Sequence, residues 1–143
     1  MTSLPSAALR YGALGGALTV AWMLAEYALG LHATAAGRYT GFLSLLVAAW
    51  AVFAAVRAAG GPAPTFGRAL GAGVATSLVA AVVVAAGTLV YYTRVNPGMA
   101  RALGTTAGAQ AVLVLASAPV TGAVFALAAW AVLRRRRARA AVA

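Results

Sequence analysis

Four apolar runs, separated by short stretches of arginine, proline and glycine, set the layout of this chain. The first, residues 11–31, reads YGALGGALTVAWMLAEYALGL and has about the 20 residues that an α-helix needs to cross the hydrocarbon of a bilayer. The second, residues 41–57, is short for a span and crosses if Arg57 extends its guanidinium to the interface along its aliphatic stem. The third, residues 69–92, carries no charge and ends in Tyr91-Tyr92, a pair suited to the aromatic belt at a membrane interface. The fourth, residues 108–133, contains Pro119 near its middle. That proline is expected to kink the helix and leave a freed carbonyl to the hydroxyls of Ser117 or Thr121.

The breaks between runs carry their own signals. Residues 1–8 are short and polar, with Pro5 read as a breaker. Gly60-Gly61-Pro62-Ala63-Pro64 stops the second helix, and Thr65 is placed to cap the third. Asn96-Pro97-Gly98 signals a turn in the loop that opens at Thr93, followed by a helical turn over 99–103. Residues 134–143 form a basic tail, RRRRARAAVA, expected to lose order beyond its first few residues. A basic start, an apolar run and Ala33-Thr34-Ala35 also fit a cleaved secretory signal. The length of the run, and Glu26 and Tyr27 within it, favour a retained span.

Composition fixes the solvent. The chain has 143 residues, of which 64% are hydrophobic and 8% charged, with mean hydropathy +0.92. A soluble domain is about 45–50% apolar and about 25% charged, and a chain this short lacks the interior to hide such an excess. The expected fold is therefore all-α, one integral membrane bundle of four transmembrane helices. The net charge of +10 comes from eleven arginines against the single acid Glu26. These arginines flank the spans rather than forming a nucleic-acid face, so no nucleic-acid partner is expected. Arg10, Arg57, Arg68 and the tail arginines Arg134, Arg135, Arg136, Arg137 and Arg139 fall at one end of a four-span layout. Arg38, Arg94 and Arg101 fall at the other. The positive-inside bias then puts both termini in the cytoplasm, and the tail arginines are read as fixing topology and meeting anionic lipid headgroups.

Once the third span and its flanks are in view, the chain resembles a bacterial membrane family, domain of unknown function forty-one ninety-nine. The likeness lies in Phe66-Gly67-Arg68-Ala69-Leu70-Gly71 opening the third run, and in Tyr91-Tyr92 with Val95-Asn96-Pro97 closing it. Tyr11-Gly12, Gly15-Gly16 and the exit from Tyr27 to Gly30 add to it. The resemblance implies a four-helix integral membrane protein of the bacterial cytoplasmic membrane, and no catalytic residue or ligand.

Candidate chemistry is sparse. Glu26 is the one carboxylate, and a charge inside lipid is costly unless matched. Read by fours and threes, Gly12, Gly16, Thr19, Met23, Glu26 and Gly30 make one stripe that faces a neighbouring helix. A candidate intramembrane polar site comprises Glu26 with Thr88 and Tyr91 of the third span and Gln110 of the fourth; Arg94 or Arg101 are further partners for the acid. Gly12 and Gly16 are the candidate helix-packing pair, ahead of Gly67/Gly71 and Gly104/Gly108, and Gln110, Ser117 and Thr121 are expected to face inward. His32 stands alone in a loop and there is no cysteine, so neither a metal site nor a cofactor is expected. No nucleophile–base set or carboxylate pair is present, so catalysis is not expected.

Two functions remain. The first is a non-enzymatic interaction or accessory subunit, acting as a homo-oligomer or with a partner membrane protein. The alternative is a small dimeric proton- or cation-coupled transporter using Glu26, with Trp22 and Tyr91 as aromatic walls. Its layout is similar to that of small multidrug-resistance exporters, four-span chains with a lone glutamate in the first span.

Overall fold

A computed structural model describes residues 2–31, 34, 37–61 and 63–140, without the side chains of 37–39 and 139–140. His32, and the side chains of Arg38 and Arg139, lie outside the described residues. The architecture is α1 (Leu4–Ala28), α2 (Gly37–Gly60), α3 (Phe66–Val90), α4 (Pro97–Ala102) and α5 (Ala107–Ala140). Four of these helices are long and apolar enough to cross a membrane, the third extending to Val95 through a π-helical turn.

The helix ends differ from the expected boundaries for local reasons. Pro5 does not break α1; it sits in the first turn, where the missing N–H would have had no partner anyway. Ser3 caps that turn, its hydroxyl accepting the Ser6 amide at 3.4 Å. Thr2 then ties the chain start to the end of α2, donating its N–H and hydroxyl to the Ala58 carbonyl at 3.2 and 3.0 Å. Thr65 caps α3 by accepting the Arg68 amide at 3.4 Å. The turns after α1 and α2 use Gly30 and Gly61, both at φ +67°, a left-handed backbone that a side chain resists. Pro97 likewise opens a helix, the short α4, rather than only a turn. The largest difference is at the C-terminal end: the arginine run is helical through Ala140. Arginine has high helix propensity, the apolar span has already nucleated the helix, and cations suit its C-terminal dipole.

The packing centres on α3. It contacts α1, α2 and α5, whereas α1 and α5 make little contact and stand on either side of it. Glycines set these contacts. A Cβ at Gly12 would come within 2.7 Å of the Thr76 carbonyl and of Val79, and one at Gly16 within 2.8 Å of Val83. Gly87 of α3 leaves the matching space for Val20 of α1, so α1 and α3 run parallel. Against α5 the same device recurs antiparallel: a Cβ at Gly73 would press on Ala126 and on the Gly122 carbonyl at 2.7 Å. Close backbone approach of this kind is what drives helices together where lipid removes the hydrophobic incentive.

The bundle is not equally tight along its length. Its core gathers Ala7 of α1, Val52, Val56 and Ala59 of α2, Ala69 and Ala72 of α3, and Ala126, Ala129 and Leu133 of α5. All of these lie toward the end that carries Arg57, Arg68 and Arg134. At the opposite end, residues 40–50 of α2 contain no buried position. There an apolar cleft of about 470 Å³ opens between α1 and α2, lined by Leu18, Trp22, Ala25, Leu43, Leu46 and Val47 among others.

Candidate functional site

Glu26 sits two residues before the end of α1, shallower than a helix running to residue 31 would put it. Its carboxylate accepts a hydrogen bond from the indole N–H of Trp22, one turn back on the same helix, at 2.8 Å. The same N–H reaches the carbonyl of Thr40 on α2 at 3.3 Å. The i, i+4 spacing brings the two side chains together on one face, and the shared donor joins α1 to the start of α2. Both side chains are half-buried, at the edge of the apolar cleft whose wall includes Trp22. An indole N–H can only donate, so Glu26 is the acceptor of this bond.

This arrangement revises the expected polar site. Among the described residues, the hydrogen bonds do not join Glu26 to Thr88, Tyr91 or Gln110. Thr88 and Tyr91 are buried on α3, and Tyr91 packs edge-on against Tyr27 of α1 with ring centroids 5.9 Å apart. Tyr92 packs edge-on against Tyr91 in turn, and the Asn96 side-chain amide donates to the Tyr91 hydroxyl at 3.4 Å. The π-helical turn makes that last contact: the Asn96 N–H closes back on the Tyr91 carbonyl at 2.7 Å. Gln110, half-buried in the first turn of α5, lies beyond α3 from α1. The four residues are thus distributed over three places.

The single α1 stripe also divides. Gly12, Gly16, Val20 and Tyr27 face α3, whereas Gly15, in contact range of Ala51, and Trp22 face α2. Glu26 lies about 80° round the helix from Gly16, because ten residues at 100° each fall short of three full turns. The inward stripe on α5 is revised as well. Ser117 is exposed and Thr121 half-buried, and their hydroxyls donate to the carbonyls of Val114 and Ser117, both at 3.1 Å. Neither reaches Leu115, whose carbonyl lacks an amide partner at Pro119.

Trp22 is thus the donor to the carboxylate as well as an aromatic wall, a role that its i, i+4 spacing from Glu26 signals in the sequence. Asn96 is a partner of Tyr91 as well as a turn residue. No local pattern pointed to the Thr40 carbonyl.

At the opposite end the basic residues meet aromatic rings. Arg10 stands over Tyr11 at 5.6 Å from the ring centroid, and Tyr11 packs edge-on with Trp50 at 6.3 Å. Arg134 stands over Trp130 at 5.3 Å, and Trp130 meets Phe66 edge-on at 5.5 Å. Arg135 and Arg136 are exposed, and Arg137 follows Arg134 by three residues on the same face.

Four apolar spans, an interior of small residues and arginines gathered at one end define a small multi-pass helical membrane protein. The family model described as Protein of unknown function (DUF4199) matches residues 10–112, and the chain belongs to that family. The matched stretch runs from Arg10, within α1, through α2, α3 and α4 to the opening of α5, and stops short of Pro119 and the five arginines that follow Leu133. No curated protein and no solved structure matches the chain.

Proposed function

We propose that this chain is a non-enzymatic subunit of the bacterial cytoplasmic membrane, with both termini inside. In this reading it engages another transmembrane segment, of a second copy or of a partner, through the α1–α2 face. The observation that carries the proposal is the asymmetry of the bundle. It is closed by small-residue contacts at the arginine end, while an apolar cleft edged by the Trp22–Glu26 pair opens between α1 and α2 at the other. A half-buried polar pair beside an unfilled apolar surface is complementary to a neighbouring helix bearing one hydrogen-bonding side chain.

The chain has no cysteine, which makes the test direct. Leu46→Cys, on the cleft wall and 64% exposed, is expected to form a crosslinked product in native membranes when labelled with a maleimide photocrosslinker. Such a reagent inserts into neighbouring C–H bonds and so needs no lysine, a residue this chain lacks. Val82→Cys on α3, 62% exposed, is expected to form none. Equal products at both positions, or none at either, overturn the proposal.

The transport reading draws on the same pair, since a carboxylate beside an aromatic wall suits a hydrophobic cation. It predicts proton-driven uptake of a cationic dye into proteoliposomes, lost in Glu26→Gln. The subunit reading predicts no such flux in the parent.

A further inference from the structure

Five arginines leave the membrane on α5, and the one acidic side chain of the chain is Glu26, at the far end of α1. Their counter-charge must therefore come from outside the chain's own side chains. Two of the five are distinguished by position. Arg134 and Arg137 line a pocket of about 310 Å³ with Pro64, Thr65, Phe66 and Trp130. Trp130 and Phe66 form its apolar wall, ring against ring at 5.5 Å. Arg134 lies over the Trp130 ring at 5.3 Å, which holds its guanidinium across the mouth. The Thr65 hydroxyl accepts the Arg68 amide and keeps its own O–H, so the cationic donors of the pocket are the two guanidiniums. Arg135 and Arg136 are turned about 100° and 200° away from Arg134 on the same helix and do not line the pocket.

We propose that this pocket binds the phosphate of an anionic phospholipid, with Arg134 and Arg137 on the phosphate oxygens and the glycerol end of the acyl chains against Trp130 and Phe66. The wall is aromatic and apolar where a lipid is apolar. The cations stand one turn further along α5, where a headgroup begins. Guanidinium is the side chain best matched to two phosphate oxygens at once. One wall, Pro64 to Phe66, lies within the family match at residues 10–112, whereas Trp130, Arg134 and Arg137 lie beyond it. The inference rests on the membrane placement proposed above, with this end at the cytoplasmic headgroups.

The test uses the full chain in nanodiscs of phosphatidylcholine, with Trp22→Phe and Trp50→Phe leaving Trp130 as the fluorophore. It is titrated with short-chain phosphatidylglycerol, short-chain phosphatidylcholine and inorganic phosphate. Phosphatidylglycerol is expected to shift Trp130 emission saturably, and the other two are not. Arg134→Gln with Arg137→Gln should weaken that binding by about tenfold or more, since each basic contact near a headgroup contributes of order one factor of five. Arg135→Gln with Arg136→Gln, which removes the same charge, should weaken it by less than about threefold. Far-UV circular dichroism of each variant checks that the helices persist, and Arg134→Lys with Arg137→Lys, which keeps the charge, should fall between the two pairs. Equal loss in the two glutamine pairs overturns the site in favour of diffuse attraction. Saturation by inorganic phosphate overturns it in favour of a free-anion site. Failure of the chain to enter nanodiscs at all contradicts the membrane placement instead, and insertion without saturable binding contradicts the pocket alone.

Discussion

Glycine does its work here by absence. At Gly16 an added methyl would lie 2.8 Å from the Val83 Cβ and 2.9 Å from the Ala80 carbonyl, both on a packed helix that cannot yield. Gly67 has nothing within 4 Å. Gly16→Ala is therefore expected to lower folded stability by about 1–3 kcal/mol, whereas Gly67→Ala should raise it by about 0.5 kcal/mol through helix propensity. Reversible unfolding in mixed micelles measures both, and shifts of the same sign would remove the close-contact argument. The Trp22–Glu26 bond is local and half-exposed, so its worth is modest. A double-mutant cycle with Trp22→Phe and Glu26→Ala should give a coupling near 1 kcal/mol. Zero coupling would mean that the pair does not hold in the membrane. The spacing of this pair was legible in the chain, but its second acceptor, the Thr40 carbonyl, was not, because backbone partners across helices leave no trace in side-chain pattern.

Helices in this chain begin and end where capping chemistry allows, and most of that was readable. Thr65 and the glycines after α2 marked their boundaries directly, whereas Gly30, read within the first run, ends α1 early. Pro5 and Pro97 were harder, since proline stops a helix that precedes it and starts one that follows. The arginine run looked like a tail because charge reads as solvent, yet a helix already formed continues into any good helix former. Pro119 offers a check at this scale. It is exposed, and the nearby hydroxyls bond to Val114 and Ser117 rather than to Leu115. Pro119→Ala restores the missing backbone bond at little packing cost, and should stabilise the bundle by about 1 kcal/mol or more. A thermal midpoint that falls would instead show that the proline packs against something outside the chain.

At the scale of the molecule, two ends of different character emerge. One is tightly packed, basic and aromatic, with Arg134 over Trp130 against Phe66, and Arg57 grouped with Tyr11, Trp50 and Phe53. The other is closed between α1 and α3 but open between α1 and α2, with the Tyr27–Tyr91–Tyr92 cluster on one side and the Trp22–Glu26 pair on the other. The charge asymmetry predicts orientation: a reporter fused after Ala143 should be active in the cytoplasm. Activity in the periplasm would invert the topology and with it the assignment of the arginine end to the inner leaflet.

The sequence by itself determined the solvent, the number of spans and the separation of arginines between two ends. Each follows from runs of apolar residues and from counting charges along one dimension. Tertiary structure alone decided which helices touch. With α3 between α1 and α5, Glu26 and Gln110 lie on opposite sides of it, and the Trp22 bond holds Glu26 toward α2 rather than toward Tyr91. The physical reason is that apolar residues, large and small, occur on all sides of these helices, so periodicity does not single out the face that packs. Only the fit of Gly12 and Gly16 to α3, and of Gly73 to Gly122, selects it. That choice turned Glu26 away from α3, toward Trp22 and the start of α2.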